Sequence, residues 1–146
     1  MSDDDASALR RLIERQPIED TLLRYGSSID DQDFATLRAL LCDDVHARYG
    51  DTVIDGADAV VAWIVAATAA RSWSHHFLSV YRVDFLDDTT ATALTYHTSH
   101  HVARATPDRC ARTVARYVDT VRRVDGAWKI AAKVMHVGWT GDAVSR

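Results

Sequence analysis

The prevailing period of the apolar residues changes just before Ser72. Upstream they recur every three or four residues, the spacing of a buried helical stripe; downstream they tend to alternate, the spacing of a half-buried strand. Asp3 to Ser7 form an acidic lead-in suited to capping, followed by a short stripe of Leu9, Leu12 and Ile13. Pro17 suits a helix start, with Glu19 and Asp20 in the first turn at the positive end of the dipole. Ile18, Leu22, Tyr25 and Ile29 then predict a helix from about Pro17 to about Asp30, kinked against the earlier piece. Asp30-Asp31-Gln32-Asp33 reads as a turn and a new cap, and Phe34, Leu37, Leu40 and Leu41 as a shorter helix ended by Asp43-Asp44. Val45 to Tyr49 is a short strand before the Gly50-Asp51 turn. Asp55-Gly56 opens a third helix carrying Val60, Trp63, Ile64 and Ala67, and its small apolar residues predict burial on more than one side.

The second half reads as four strands. Trp73 to Phe85 comes first, and Leu86-Asp87-Asp88-Thr89 turns it into Thr90 to Ala105. Thr106-Pro107-Asp108 ends that strand, and Arg112 to Val124 follows. Asp125-Gly126 is the strongest hairpin signal in the chain. Ala127 to Val137 closes the set, with Trp128, Ile130, Ala132 and Val134 on one face and Gly138 to Arg146 as a tail. Three helices followed by antiparallel strands predict an α+β fold: a curved sheet whose concave face is covered by helices, enclosing a cone-shaped pocket.

Composition narrows the function. At 146 residues the chain suits one domain, residues 1–146, with one core. Its net charge of -4 argues against nucleic acid or an anionic membrane as partner. No apolar run approaches the roughly 20 residues of a membrane span, and the acidic start lacks the apolar region of a secretory signal. Cys42 and Cys110 stand alone, as reduced cysteines of a cytoplasmic protein do.

The candidate chemistry is acid–base chemistry. Five of the seven histidines, His75, His76, His97, His100 and His101, fall on the first two strands of the second half; His46 and His136 lie elsewhere. Counted outward from the turn at Asp87-Asp88, position 76 and positions 97 to 101 come to lie opposite each other. An aspartate at the end of the first helix, Asp30, supplies a carboxylate. A carboxylate bonded to one imidazole nitrogen fixes the tautomer and favours proton uptake at the other. No GxSxG, P-loop or dinucleotide fingerprint is present, and neither HxH nor HExxH announces a metal site. A metal set of His97, His101 and His75 is the competing reading. Tyr25, Tyr49, Tyr81, Tyr96 and Tyr117 are spread over the elements that would line the pocket, and Tyr49 is the expected hydrogen-bond donor to substrate.

These residues resemble a SnoaL-like domain of the NTF2-like superfamily, nearest the branch containing scytalone dehydratase and hexachlorocyclohexane dehydrochlorinase. The likeness runs from about Pro17 to Trp139. It rests on Ile29-Asp30-Asp31-Gln32-Asp33-Phe34, on Tyr49, on Ser74-His75-His76-Phe77-Leu78, and on the closing hairpin Val124-Asp125-Gly126-Ala127-Trp128-Lys129-Ile130. From His76 the register runs without a gap to His101. The resemblance implies a catalytic set of Asp30, His76 and His101 that eliminates water or a similar group beside a carbonyl. It implies substrate contacts from Tyr49, Tyr25, Tyr117 and Tyr81, no cofactor and no metal, a small hydrophobic substrate, and a homo-oligomer, dimer or trimer.

Two departures stand out. The scytalone enzyme carries a tyrosine where this chain has Ile29, so one carbonyl-polarising donor is missing, and a buried asparagine falls on Tyr117. Scytalone itself is therefore not the expected substrate; another polyketide, a steroid or a terpenoid skeleton is. Strict alternation puts His75, not His76, on the face of Tyr81, Val83 and Phe85. The family register selects His76, and the two agree only if a bulge near Ser79-Val80 shifts the phase. The alternatives are a non-catalytic ligand-binding or scaffold protein, or a cyclase or isomerase on the same fold. An epoxide hydrolase or isomerase would want a second buried acid, which the pattern does not reveal.

Overall fold

The computed structural model describes residues 2–145. Its elements run α1 (Asp3–Asp30), α2 (Phe34–Ala39), β1 (Leu41–Tyr49), β2 (Thr52–Asp55), α3 (Ala57–Thr68), β3 (Arg71–Phe85), β4 (Thr90–Ala103), β5 (Arg109–Val124) and β6 (Ala127–Val144). The strands form one six-stranded sheet in the order β2-β1-β6-β5-β4-β3. All pairings are antiparallel except β1 with β6, which is parallel. Such a pairing needs a crossover, and here the whole β2-to-β5 segment provides it.

Helix α1 departs from the expectation of two pieces. It is continuous through Pro17, and it starts at a capping box in which the Ser2 hydroxyl accepts from the Asp5 amide while the Asp5 carboxylate accepts from the Ser2 amide. The expected stripe of Leu9, Leu12 and Ile13 is exposed, so this end of the helix is held by its cap and not by packing on that stripe. The second half behaves as read: Ile18, Leu22, Tyr25 and Ile29 are buried in the core. Asp33 caps α2 as expected, but α2 ends earlier, and Leu41 already belongs to β1. The two-residue turn at Gly50-Asp51 leads into β2, a strand too short and too exposed to declare itself in the pattern. Helix α3 buries a single stripe, Ala57, Val60, Ile64 and Thr68, and not several sides. Small residues on its outer face imitate a buried helix.

The hairpin turns lie where the pattern puts them. Asp125 and Gly126 both adopt positive φ, 50° and 83°, the conformation a two-residue turn requires. The tail beyond Val137 is instead strand: β6 continues to Val144, paired with β5 as far as Arg109. Alternation along β6 also breaks. A register shift between Thr120 and Val121 of β5 leaves Ala131 of β6 unmatched, so Lys133 follows Trp128 and Ile130 inward in place of Ala132 and Val134.

The core lies between the concave face of the sheet and the helices: Ile18, Leu22, Leu37, Val45, Val60, Val121 and Ile130 are buried there. Among the described residues no helix is long and apolar enough to cross a membrane.

Candidate active site

Two bulges in β3 decide what faces inward. Between Val80 and Arg82 the register against β4 shifts by one residue, leaving Tyr81 unmatched. Upstream of the shift, Ser74, His76, Leu78 and Val80 turn inward; downstream, Val83 and Phe85 do. His76 and Phe85 thus share a face despite their odd spacing, and the conflict over His75 and His76 is resolved for His76. His75 lies on the outer face, where its ring stands 5.9 Å from that of His100. It cannot join His97 and His101 in a metal set. Tyr81 also faces outward, 61% exposed and stacked on Tyr96 at 4.1 Å, so it does not belong to the pocket.

His76 meets Asp30 directly. Its Nδ1 lies 2.6 Å from Asp30 Oδ1, and its main-chain amide donates to Oδ2 at 2.8 Å. Asp30 closes α1, where the negative end of the helix dipole opposes a carboxylate. Two N–H groups from one residue offset that. Burial pushes the Asp30 carboxyl up, but the bonds from the His76 ring and amide, and the nearby imidazoles, outweigh it and hold the group below its ordinary value. Both side chains are mostly buried, at 7% exposed for His76 and 19% for Asp30. With Nδ1 engaged, Nε2 is the nitrogen His76 has left for the cavity it lines.

The close approach depends on Gly26, one helical turn before Asp30. A Cβ there would lie 3.1 Å from the Cβ of His76 and 2.8 Å from a methyl of Leu78. Glycine lets α1 sit against β3 closely enough for the carboxylate to reach the ring.

Strand β4 supplies the other imidazoles. Its pairing sets Ser74 opposite His101, His76 opposite Ser99 and Leu78 opposite His97. His97 stacks on His76 at 5.5 Å between ring centres, and His101 stands 5.3 Å from His76. Among the described residues, neither ring nitrogen of His97, nor Nδ1 of His101, has a hydrogen-bond partner, although all three are buried. Burial, with Arg71, His76 and His97 beside it, pushes the His101 imidazole down to about 3; burial with His76 and Lys133 holds His97 down to about 4. Both rings are therefore neutral near pH 7.

The cavity measures about 190 Å³, below the roughly 300–1,000 Å³ of drug-sized ligand sites. His76, His97, Ser99 and His101 form one wall, and Tyr25, Tyr49, Tyr117, Ile29, Trp63 and Met135 form much of the rest. The Tyr25 and Tyr49 hydroxyls share a hydrogen bond of 2.6 Å, and the Tyr49 ring stacks on Trp63 at 4.7 Å. Burial pushes the Tyr49 hydroxyl well above its ordinary value, so it stays protonated. A wider groove of about 640 Å³, between α1 and the β5–β6 hairpin, contains none of the candidate residues.

The structure thus brings together Asp30, His76, His101, Tyr25, Tyr49 and Tyr117, and leaves out Tyr81. The sequence pattern offers His97 only as a clustered histidine and metal-ligand candidate, and three other residues, Arg71, Asp119 and Lys133, not at all. Arg71 precedes the other bulge in β3, at Ser72, which inverts its phase. Asp119 and Lys133 form a buried ion pair of 2.9 Å beneath the tyrosines, with the ammonium 4.3 Å from the Tyr25 ring centre and 3.9 Å from that of Tyr117. Asp119 is thus a second buried acid that the pattern did not reveal, but Lys133 neutralises it. Burial pushes the Asp119 carboxyl up and the Lys133 amine down, each against the attraction of the other. An inward lysine on a strand carries no sequence signal, since its phase depends on the unmatched Ala131.

Residues 10–134 match the model of the SnoaL-like domain. The chain belongs to the SnoaL-like family. Its NTF2-like fold is shared with solved structures. A candidate scytalone dehydratase from Novosphingobium aromaticivorans is 23% identical, covering 95% of this chain and 93% of its own, with a TM-score of 0.86. A type 2 hexachlorocyclohexane dehydrochlorinase is 16% identical over 95% of each chain, with a TM-score of 0.85. The type 3 dehydrochlorinase of Novosphingobium barchaimii is 16% identical over 93% of this chain and 94% of its own, with a TM-score of 0.82. At such identities the likeness speaks for the fold of this SnoaL-like chain. No curated protein matches it significantly.

Proposed function

We propose that this protein is a cofactor-independent lyase that removes water, or a comparable leaving group, from a position adjacent to a carbonyl. The observation that carries this reading is the two-point bond between Asp30 and His76, which leaves the other ring nitrogen of His76 available to the largely apolar cavity that this residue lines. Asp30 fixes the tautomer with the proton on Nδ1, so Nε2 of His76 accepts the proton from the carbon beside the carbonyl. The imidazolium so formed is stabilised by the Asp30 carboxylate, as in other carboxylate–imidazole pairs. Electrons move from the broken C–H bond into the new double bond, and the hydroxyl leaves with a proton. Because His101 is neutral, it holds no extra proton to give. His76 returns the proton it took, and His101 and Tyr49 orient the leaving group and carbonyl by hydrogen bonds.

The relatives named as dehydratase and dehydrochlorinase support an elimination over the other chemistries of the fold. The volume of the cavity favours a small carbonyl compound over a four-ring steroid skeleton. The test is a panel of small β-hydroxy carbonyl compounds, with enone formation followed by absorbance. On any compound turned over, Asp30→Asn and His76→Ala are each expected to lower kcat by about 10²–10⁴-fold while leaving the circular dichroism unchanged. Near-normal rates in both variants would refute the mechanism. A cavity that binds such compounds without turnover would favour the ligand-binding reading.

A further inference from the structure

Arg71 is the cationic side chain in the cavity wall, and the elimination scheme gives it no part. Its place follows from the first bulge of β3. The register against β4 shifts between Arg71 and Trp73, leaving Ser72 unmatched, so Arg71 pairs with Ala103. Ala103 shares its face with His101, two residues away, and that face is the cavity's. The backbone here is pinned: the Arg104 guanidinium donates to the main-chain oxygen of Arg71 at 2.6 Å and also to that of Ala69.

The Arg71 guanidinium is partly desolvated but belongs to none of the ion pairs among the described residues. The nearby carboxylate, Asp30, spends one oxygen on the ring of His76 and the other on its amide. It offsets the charge of Arg71 through space without bonding to it. A guanidinium presents five N–H donors in a planar fork, which suits an oxygen anion. The candidate chemistry also has a use for such a group. Removing a proton beside a carbonyl builds negative charge on the carbonyl oxygen, yet Ile29 offers no donor and one of the Tyr25 and Tyr49 hydroxyls is consumed by the other.

Building on the reading of the cavity as a substrate site, we propose that Arg71 forms its oxyanion subsite, binding a substrate oxygen anion beside His76 and His101. That anion is either a carboxylate carried by the substrate or the enolate formed from its carbonyl. Arg71 then sets specificity for compounds that bear, or develop, negative charge at this end of the cavity.

Two comparisons separate the sources. Benzoate and its neutral counterpart benzamide are titrated against the protein, following the imidazole resonances of His76 and His101 by NMR. Absorbance of 4-nitrophenol, an enolate mimic, gives its ionisation when bound. If the substrate brings a carboxylate, benzoate binds about 10- to 100-fold more tightly than benzamide, and Arg71→Met abolishes the preference. If the anion is an enolate, bound 4-nitrophenol ionises at lower pH than free, and Arg71→Met removes that shift. Arg82→Ala, which alters an exposed arginine paired with Asp84, should leave both readouts unchanged. Equal binding of benzoate and benzamide, with an unshifted nitrophenol, overturns the role of Arg71 but preserves the cavity as a binding site. Failure of all three probes to perturb the imidazoles overturns the cavity reading and this proposal with it.

Discussion

Substituting Gly26 with alanine sets two known effects against each other. An alanine inside a helix stabilises it by about 0.5–1 kcal/mol relative to glycine. Here the new methyl would lie 2.8 Å from Leu78 Cδ1, 3.3 Å from Leu78 Cγ and 3.1 Å from His76 Cβ. The Leu78 methyl ends a flexible side chain and can rotate away. The His76 Cβ is fixed to the strand, so α1 and β3 must separate by a few tenths of an ångström. Overpacking of this kind costs about 1–3 kcal/mol. Gly26→Ala should therefore lose about 1 kcal/mol net, lowering Tm by about 3 °C for a chain of this size. The same separation stretches the 2.6 Å bond between His76 and Asp30, because Asp30 lies one turn further along the same helical face. Urea denaturation measures the first effect. The proton resonance of the His76 Nδ1–H reports the second, moving upfield as the bond lengthens. A variant that gains the full helix-propensity stabilisation, with that resonance unmoved, would refute the idea that Gly26 sets the distance between helix and strand.

Two further outcomes follow from the buried groups. His97 is 3% exposed and held down to about 4, whereas an unfolded chain binds a proton at histidine near 6.5. In that window the unfolded state binds the extra proton, so stability is present above about pH 6.5 and is lost as pH falls towards 4. The loss is about 1.4 kcal/mol per unit for this group, or about 2 kcal/mol at pH 5. His101, with its value near 3, adds a slope of the same sign. His97→Phe should flatten the profile in part, and a wild-type stability constant from pH 6.5 to 5 would contradict the assignment. For the buried pair, Lys133→Met leaves Asp119 without its partner and should cost about 3–5 kcal/mol in urea denaturation. The double variant with Asp119→Leu should recover most of this; equal loss in single and double variants would mean the ion pair is not what the single variant breaks.

Local pattern carried much of this molecule. The stripe of Ile18, Leu22, Tyr25 and Ile29, the Asp33 cap and the Asp125-Gly126 turn depend on neighbours within a few residues, and each appears where the pattern places it. The same holds for the grouping of His76 with His97 and His101, since a tight hairpin fixes which positions pair. Bulges are different. One unmatched residue inverts every side chain beyond it, and whether a strand takes one depends on how the whole sheet curves over the helices. The bulges at Ser72 and Tyr81 turned Arg71 and His76 inward and Tyr81 outward. The unmatched Ala131 buried Lys133. Edge pairing also lay beyond local reach: the last residues of β6 became strand because β5 extends alongside them. The types of residue available for acid–base chemistry were thus legible from their order along the chain. Which of them share one cavity was settled by sheet curvature and by the absence of a side chain at Gly26, because both act between elements far apart in sequence.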